Sequence, residues 1–106
     1  MSELNVGRFD PIMSEPDSIR RNVRLKLAQG LHIRACSNVI AIVSDFAGKV
    51  LIHVGDKSAD ASSMFDLLLL TAVPDSDLVI EASGDGAESI VEKLEDLFSK
   101  QTDPVE

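Results

Sequence analysis

Residues 29–35, with the sequence QGLHIRA, separate two different hydrophobic patterns and decide how the chain folds around them. In residues 23–28 apolar and polar side chains alternate, which predicts a half-buried strand. In residues 33–47 apolar side chains recur at helical spacing, which predicts an amphipathic helix. The chain is therefore expected to leave a strand, turn at Gly30 and begin a helix next to His32.

This arrangement places His32 at the predicted N-terminus of a helix, close to Arg34. The first backbone N–H groups of a helix have no partner within it, and the helix dipole is positive there, so the position favours phosphate. The guanidinium of Arg34 is permanently charged and can bind phosphate oxygens in bidentate fashion. A nucleophilic ring nitrogen beside an anion site suggests a histidine that carries a phosphoryl group. The alternative from these residues alone is an exposed loop histidine without a role.

Length and composition predict one domain, since 106 residues with 44% hydrophobic side chains can bury a substantial core. No apolar run approaches the roughly 18 residues that a membrane span requires, and the N-terminus lacks the basic flank and apolar region of a signal peptide. The single cysteine, Cys36, falls on the apolar side of the predicted helix and is expected to be a small buried hydrophobic residue. These features predict a cytoplasmic protein.

The charge and the histidine spacing exclude several classes of function. A net charge of −8, without tryptophan or tyrosine, argues against binding to nucleic acid or to anionic membranes. His32 and His53 are far apart, and neither belongs to a cluster with metal-ligand spacing. His53 falls on the polar face of a predicted strand, where we expect it to face solvent without a role. We therefore predict no metal, no cofactor and no insertion into a membrane.

The rest of the chain predicts a domain over residues 22–100 between two tails, a flexible one over residues 1–21 and a short polar one over residues 101–106. Periodicity and turn signals predict the further elements of this domain, which are strands at 49–54, 57–60 and 78–83, a short helix from Met64, and a helix at 87–100. The order β-α-β-β-α-β-α predicts an α+β fold of the open-faced β-sandwich type. In this fold a four-stranded antiparallel sheet has three helices on one face.

Two motifs within this order of elements resemble those of the HPr family, the histidine-containing phosphocarriers of the phosphoenolpyruvate-dependent phosphotransferase system. The family signature G-[LI]-H-A-R-P stands here as GLHIRA at residues 30–35. The second motif, a serine at the start of a short apolar helix, stands here as SSMFDLLLL at residues 62–70. The spacing between the motifs matches without gaps, and the resemblance extends over residues 23–100.

The resemblance implies that His32 accepts a phosphoryl group on Nδ1, as a pros-phosphohistidine, from phosphorylated enzyme I. The group would then pass to a histidine of an EIIA-type protein, and Arg34 would stabilise the phosphoryl charge. Because phosphoryl transfer requires mainly positioning and charge stabilisation, a small carrier suffices. We expect neither a stand-alone enzyme nor an oligomer, since a monomer can present one face to two partners in turn.

The resemblance also implies regulation and a docking surface. Ser63 matches the serine that HPr kinase/phosphorylase modifies, whereas the residues alone predict only a helix N-cap followed by Asp66, as in a capping box. A phosphate on Ser63 would repel an acidic partner. The matching docking residues are Ile33, Ser37, Met64, Phe65 and Leu68. Within the short helix, Leu67 and Leu70 are expected to face the core and Phe65 and Leu68 the surface, although Phe65 could also complete the core.

Several positions differ from the family pattern. Ala35 replaces the usual proline, and Ile33 replaces a small alanine beside the histidine. Ser62 stands where a lysine often precedes the regulatory serine, and Ala41 and Ser44 stand where lysines often line the first helix. A role in sugar transport and a role in a regulatory, nitrogen-related branch therefore both remain open. The further alternatives are an adaptor controlled through Ser63 and an interaction module without phosphate chemistry.

Overall fold

The computed structural model describes residues 18–100, so most of both predicted tails lies outside the described residues. Seven elements follow one another in the order β-α-β-β-α-β-α. They are β1 (Ile19–Arg24), α1 (Ile33–Val43), β2 (Lys49–Val54), β3 (Lys57–Asp60), α2 (Met64–Leu69), β4 (Asp77–Ser83) and α3 (Ala87–Ser99).

The four strands form one antiparallel sheet in the order β1-β4-β2-β3. β4 lies in the interior of the sheet, where Ala82 is opposite Ile19 of β1 on one side and Val50 of β2 on the other. β2 and β3 form a hairpin in which Val54 is opposite Lys57. Buried and accessible residues alternate along β4, as expected when helices cover only one face of a sheet. The predicted α+β open-faced sandwich is therefore confirmed.

The core lies between the covered face of the sheet and the three helices. Its large, fully buried side chains come from every layer, and burial of each contributes about 1.5–3 kcal/mol. They are Leu25, Leu27, Val39, Ile52, Leu67, Leu70, Leu78, Ile80, Val91, Leu94 and Phe98. Cys36 is buried among them, as predicted.

The first strand is displaced toward the N-terminus relative to the prediction. It begins at Ile19, inside the segment predicted as a tail, and it ends at Arg24. Arg21 concealed the pattern because this charged residue points to the helices, where its guanidinium bonds to Glu95 of α3 at 2.6 Å. Beyond the strand, Leu25 donates its N–H to the carbonyl of Ser76 at 2.9 Å, so its partner is a loop.

Helix α1 ends earlier than predicted, at Val43 rather than at residue 47. The Ser44 hydroxyl bonds to the carbonyl of Ala41 at 2.9 Å, and the N–H of Phe46 bonds to the carbonyl of Val43 at 3.0 Å. These bonds close a turn in place of a further helical turn. The apolar period continued to Phe46 because its ring packs onto the core from this turn.

Thr71, directly after α2, has a φ of 48°, in the left-handed region that strains a β-branched residue. Glycine is the usual residue at this position after a helix. We expect Thr71→Gly to raise the free energy of unfolding by about 1 kcal/mol, measured by urea denaturation. Thr71→Ala is the matched control, because it also removes the hydroxyl that bonds to the Leu70 carbonyl at 2.7 Å. Equal stability of the glycine and alanine variants would show that the left-handed backbone at position 71 does not strain a residue with a Cβ.

Candidate functional site

The loop between β1 and α1, residues 25–32, is hydrogen-bonded to the segment that follows α2, and we call it the His32 loop. Leu31 donates its N–H to the carbonyl of Ala72 at 3.0 Å. Gly30 has a φ of 71°, and a Cβ on it would lie 2.6 Å from the same carbonyl oxygen. Glycine is thus required twice, for the left-handed backbone and for the close approach. The result is that the start of α1 and the end of α2 lie side by side.

His32 is the N-cap residue of α1. Its carbonyl accepts the N–H of Cys36 at 2.9 Å, the first bond of the helix. Its ring turns back onto the helix terminus, where Nδ1 accepts the backbone N–H of Arg34 at 3.3 Å. Because Nδ1 is an acceptor, the proton of the neutral ring is assigned to Nε2. The lone pair of Nδ1 therefore points at the N-terminus of α1.

This geometry offers the groups that an anion bonded to Nδ1 would require. The backbone N–H groups of residues 33–35 lie in the first turn of α1, where the positive end of the helix dipole also acts. The side chain of Arg34 is exposed, and within residues 18–100 it has no carboxylate partner. Ala35, at the position of the family proline, is buried in the same turn. The backbone donors and the guanidinium are chemically suited to stabilise the charge of a phosphoryl group.

Five large hydrophobic side chains on α1, on α2 and in the loop after α2 are exposed, and we call them the apolar patch. The exposed fractions are 63% for Ile33, 72% for Phe65, 37% for Leu68, 56% for Leu69 and 60% for Val73. Three of these residues belong to the predicted docking set. The structure also exposes Ser37 but leaves Met64 only half-exposed, because Met64 packs against the core.

Leu69 and Val73 were missed by the sequence analysis. A helical period that starts at Phe65 reaches Leu69 four residues later, but a run of four leucines conceals which of them face outward. Val73 lies in the loop after α2, and no periodicity applies to a loop. Its Cα lies 3.2 Å from the position that a Cβ on Gly30 would occupy, so Val73 borders the His32 loop. The expected orientations of the other α2 leucines are confirmed, since Leu67 and Leu70 are buried.

Ser63 is the N-cap residue of α2, and its hydroxyl accepts the N–H of Asp66 at 3.2 Å. The predicted capping box is only half formed. The carboxylate of Asp66 accepts the N–H of Asp60 at 3.3 Å, while Ser63 donates its own N–H to the carbonyl of Asp60 at 3.0 Å. The carboxylates of Asp60 and Asp66 therefore both lie near the start of α2, and Asp66 bonds to the backbone of Asp60 instead of back to Ser63, as a Glu does in a capping box.

Asp60 has a perturbed acidity. The Ser62 hydroxyl, at 2.6 Å, and then the Ser62 N–H, at 2.9 Å, lower the pKa of Asp60 below its ordinary value. Partial burial opposes this shift, and the charge of Lys49 adds to it. Because the pKa is lower in the folded state, the ionised carboxylate stabilises the fold above the unfolded pKa. That contribution is lost as the pH falls through the folded pKa.

We expect Ser62→Ala to raise the pKa of Asp60 toward the ordinary value of about 3.9, because the variant loses the hydroxyl bond. An NMR titration of the Asp60 side chain measures the change. Ser99→Ala, at the end of α3, is the control and should leave the titration of Asp60 unaltered. An Asp60 curve that is the same in wild type and Ser62→Ala would refute this assignment of the cause.

His53 is on the open face of the sheet, as predicted, whereas α1 covers the opposite face, so the fold does not bring the two histidines together. Its Nδ1 lies 2.7 Å from the Ser58 hydroxyl and its Nε2 lies 2.8 Å from Glu81. Glu81 also pairs with Arg20 at 2.9 Å. The predicted absence of any role is thus too simple, because His53 links three strands. Residues 18–100 contain no cluster of three potential metal ligands.

Comparisons with known proteins identify the family. The model of the family described as "PTS HPr component phosphorylation site" matches residues 19–100. The chain belongs to the HPr family. It is 30% identical over 74 residues to the phosphocarrier protein HPr of Haemophilus influenzae, covering 70% of this chain and 87% of the relative. It is 26% identical over 76 residues to the phosphocarrier protein NPr of Shewanella violacea, covering 72% and 84%.

The solved HPr structures agree with this fold. The crystal structure of the phosphocarrier protein HPr from Bacillus anthracis superposes with a TM-score of 0.72 at 23% identity, covering 74% of this chain and 94% of that one. HPr from Thermoanaerobacter tengcongensis also gives a TM-score of 0.72, at 22% identity, covering 76% and 90%. Membership of the HPr family supports a phosphocarrier role in a phosphotransferase system. Within residues 18–100, no helix combines the length and the apolarity needed to cross a bilayer.

Proposed function

We propose that this protein accepts a phosphoryl group on Nδ1 of His32 from phosphorylated enzyme I and passes it to a histidine of an EIIA-type protein. The observation that supports this most directly is the orientation of the ring. Nδ1 accepts the N–H of Arg34, so its lone pair already faces the helix terminus where a phosphoryl group would be held. The relay would be cytoplasmic, with the protein acting as a monomer.

In the proposed transfer, the Nδ1 lone pair forms a bond to phosphorus while the bond from phosphorus to the donor histidine nitrogen breaks. The phosphoryl oxygens take over the N–H of Arg34 and gain the neighbouring free N–H groups at the start of α1. The guanidinium of Arg34 balances the added charge. Each of these groups stabilises charge on the phosphoryl oxygens, which is where catalysis of phosphoryl transfer mainly acts.

The decisive experiment is phosphorus NMR on the purified protein after incubation with phosphoenolpyruvate and enzyme I. We expect a phosphohistidine signal that disappears in acid. A standard HPr in a parallel sample shows that the enzyme I is active. If the standard HPr is labelled and this protein is not, the proposed relay is wrong.

Ser63 supports a second candidate, an adaptor controlled by phosphorylation of this serine and without a transport role. Its hydroxyl lies at the N-terminus of α2, one turn or less from Met64 and Phe65. A phosphate there would add negative charge beside the apolar patch. This candidate predicts an acid-stable phosphate after treatment with ATP and HPr kinase/phosphorylase, and no such phosphate on Ser63→Ala. The similarity to NPr as well as HPr leaves the choice between a sugar and a regulatory branch to the identity of the EIIA partner.

A further inference from the structure

A cavity lies between α1 and α3, and its lining shares no residue with the His32 loop or the apolar patch. Its volume is about 360 Å³, which is sufficient for a small organic molecule. The lining residues recur at spacings of three and four along each helix, so each helix contributes one stripe of its surface. They are Asn38, Ala41 and Ile42 of α1, and Lys93, Asp96 and Leu97 of α3 with Lys100 directly after it.

Asn38 is the polar residue that α1 contributes to this cavity. Its Nδ2 is enclosed and has no hydrogen-bond partner, which holds for no other side-chain nitrogen or oxygen of a buried or half-buried residue within residues 18–100. A buried N–H group without an acceptor is unfavourable, and such groups are rare in folded proteins. An oxygen atom of a ligand bound beside Asn38 would supply the missing acceptor.

The charged residues of the cavity favour a ligand with a single negative charge. Lys100 is paired with Asp96 at 3.1 Å, whereas Lys93 has no carboxylate partner within residues 18–100. One unpaired ammonium group therefore borders the cavity, in a protein whose net charge is −8. A carboxylate matches this single charge, while a phosphate dianion would be only partly balanced by it.

We propose that the cavity between α1 and α3 binds a small aliphatic monocarboxylate. The carboxylate bonds to the ammonium group of Lys93 and accepts the side-chain N–H of Asn38. The aliphatic chain packs against the apolar lining, which is formed by Ala41, Ile42 and Leu97. This combination of an apolar wall with a few polar groups is typical of sites for small molecules. The proposal does not depend on the proposed phosphoryl transfer, because none of these residues takes part in it.

An NMR titration of the full chain with hexanoate tests the proposal. The amide signals of residues 38–42 and 93–100 should shift and saturate, with a Kd on the order of 1 mM, as expected for a ligand with few atoms. Hexan-1-ol and hexylamine have the same chain without the negative charge, and they should bind about tenfold more weakly or less. Inorganic phosphate has charge without a chain and should give no saturable shift at these residues. The absence of saturation by hexanoate, or equal binding of any of these three controls, would overturn the proposal.

Two variants separate the contributions of the polar groups. Lys93→Gln should weaken hexanoate binding about tenfold, because it removes the unpaired charge. Lys57→Gln is the matched control, since it makes the same change of net charge in the β2–β3 hairpin, outside the cavity. Urea denaturation verifies that both variants, which alter exposed residues, remain folded. The same Kd for Lys93→Gln and Lys57→Gln would refute the site.

Asn38→Leu provides a second readout, because it removes the buried N–H and keeps a side chain of similar size. Hexanoate should bind this variant more weakly, while the free energy of unfolding without ligand should rise, since no unpartnered polar atom remains. Unaltered hexanoate binding to a stabilised Asn38→Leu variant would show that the amide has no part in recognition and would overturn its assignment as a ligand contact.

Discussion

Replacement of His32 by glutamine should abolish the acid-labile phosphate completely, which is the largest functional effect that we expect. Glutamine can still cap α1, because its side-chain oxygen can accept the N–H of Arg34 that Nδ1 accepts at 3.3 Å in the wild type. What it lacks is a nucleophilic nitrogen, since an amide nitrogen has no available lone pair. The variant should therefore remain folded and gain no label from phospho-enzyme I, as measured by phosphorus NMR and acid lability.

His53→Gln is the matched control for this experiment, because it removes the other histidine of the chain. His53 lies on the open face of the sheet, with both ring nitrogens engaged by Ser58 and Glu81. This control should be phosphorylated like wild type. Label retained on His32→Gln and lost on His53→Gln would show that His53 is the acceptor and would overturn the assignment to His32.

Gly30→Ala should cause the largest loss of stability among the site variants. Alanine at a φ of 71° is strained, and its Cβ would lie 2.6 Å from the carbonyl oxygen of Ala72. Since that oxygen belongs to the backbone, either the His32 loop or the segment after α2 must move. We expect a loss of about 2–4 kcal/mol in the free energy of unfolding, measured by urea denaturation. The rate of phosphoryl acceptance should fall as well, because the same loop positions His32.

Gly55→Ala separates the two contributions to this effect. Gly55 has a φ of 60°, close to that of Gly30, but a Cβ on it would have no atom within 4 Å. The control should therefore lose only the conformational part, about 1 kcal/mol, and should accept phosphate at the wild-type rate. If the two alanine variants were equally stable, the contact with Ala72 would not be what makes glycine necessary at position 30.

The local patterns of this sequence were sufficient for the order of elements and for the cap at His32. Period and turn residues predicted β2 and β3 at their observed bounds and placed the start of α1 at Ile33, because these signals depend on neighbouring residues alone. The same reasoning failed at β1. The pairing of Arg21 with Glu95, far along the chain, decides that a charged residue faces the helices.

The candidate site likewise combines residues that local sequence predicts with residues that only the tertiary structure brings together. The residues of the proposed phosphoryl site, His32 and Arg34, are close in sequence, so the motif and the helix start together predict them. The apolar patch is different, because Val73 reaches the His32 loop only through the contact of Gly30 and Leu31 with Ala72. Which leucines of α2 face outward depends equally on how that helix packs. Sequence thus determined the chemistry of the proposed acceptor, whereas the apolar patch beside it was decided by the packing of α1 against α2, which joins residues distant along the chain.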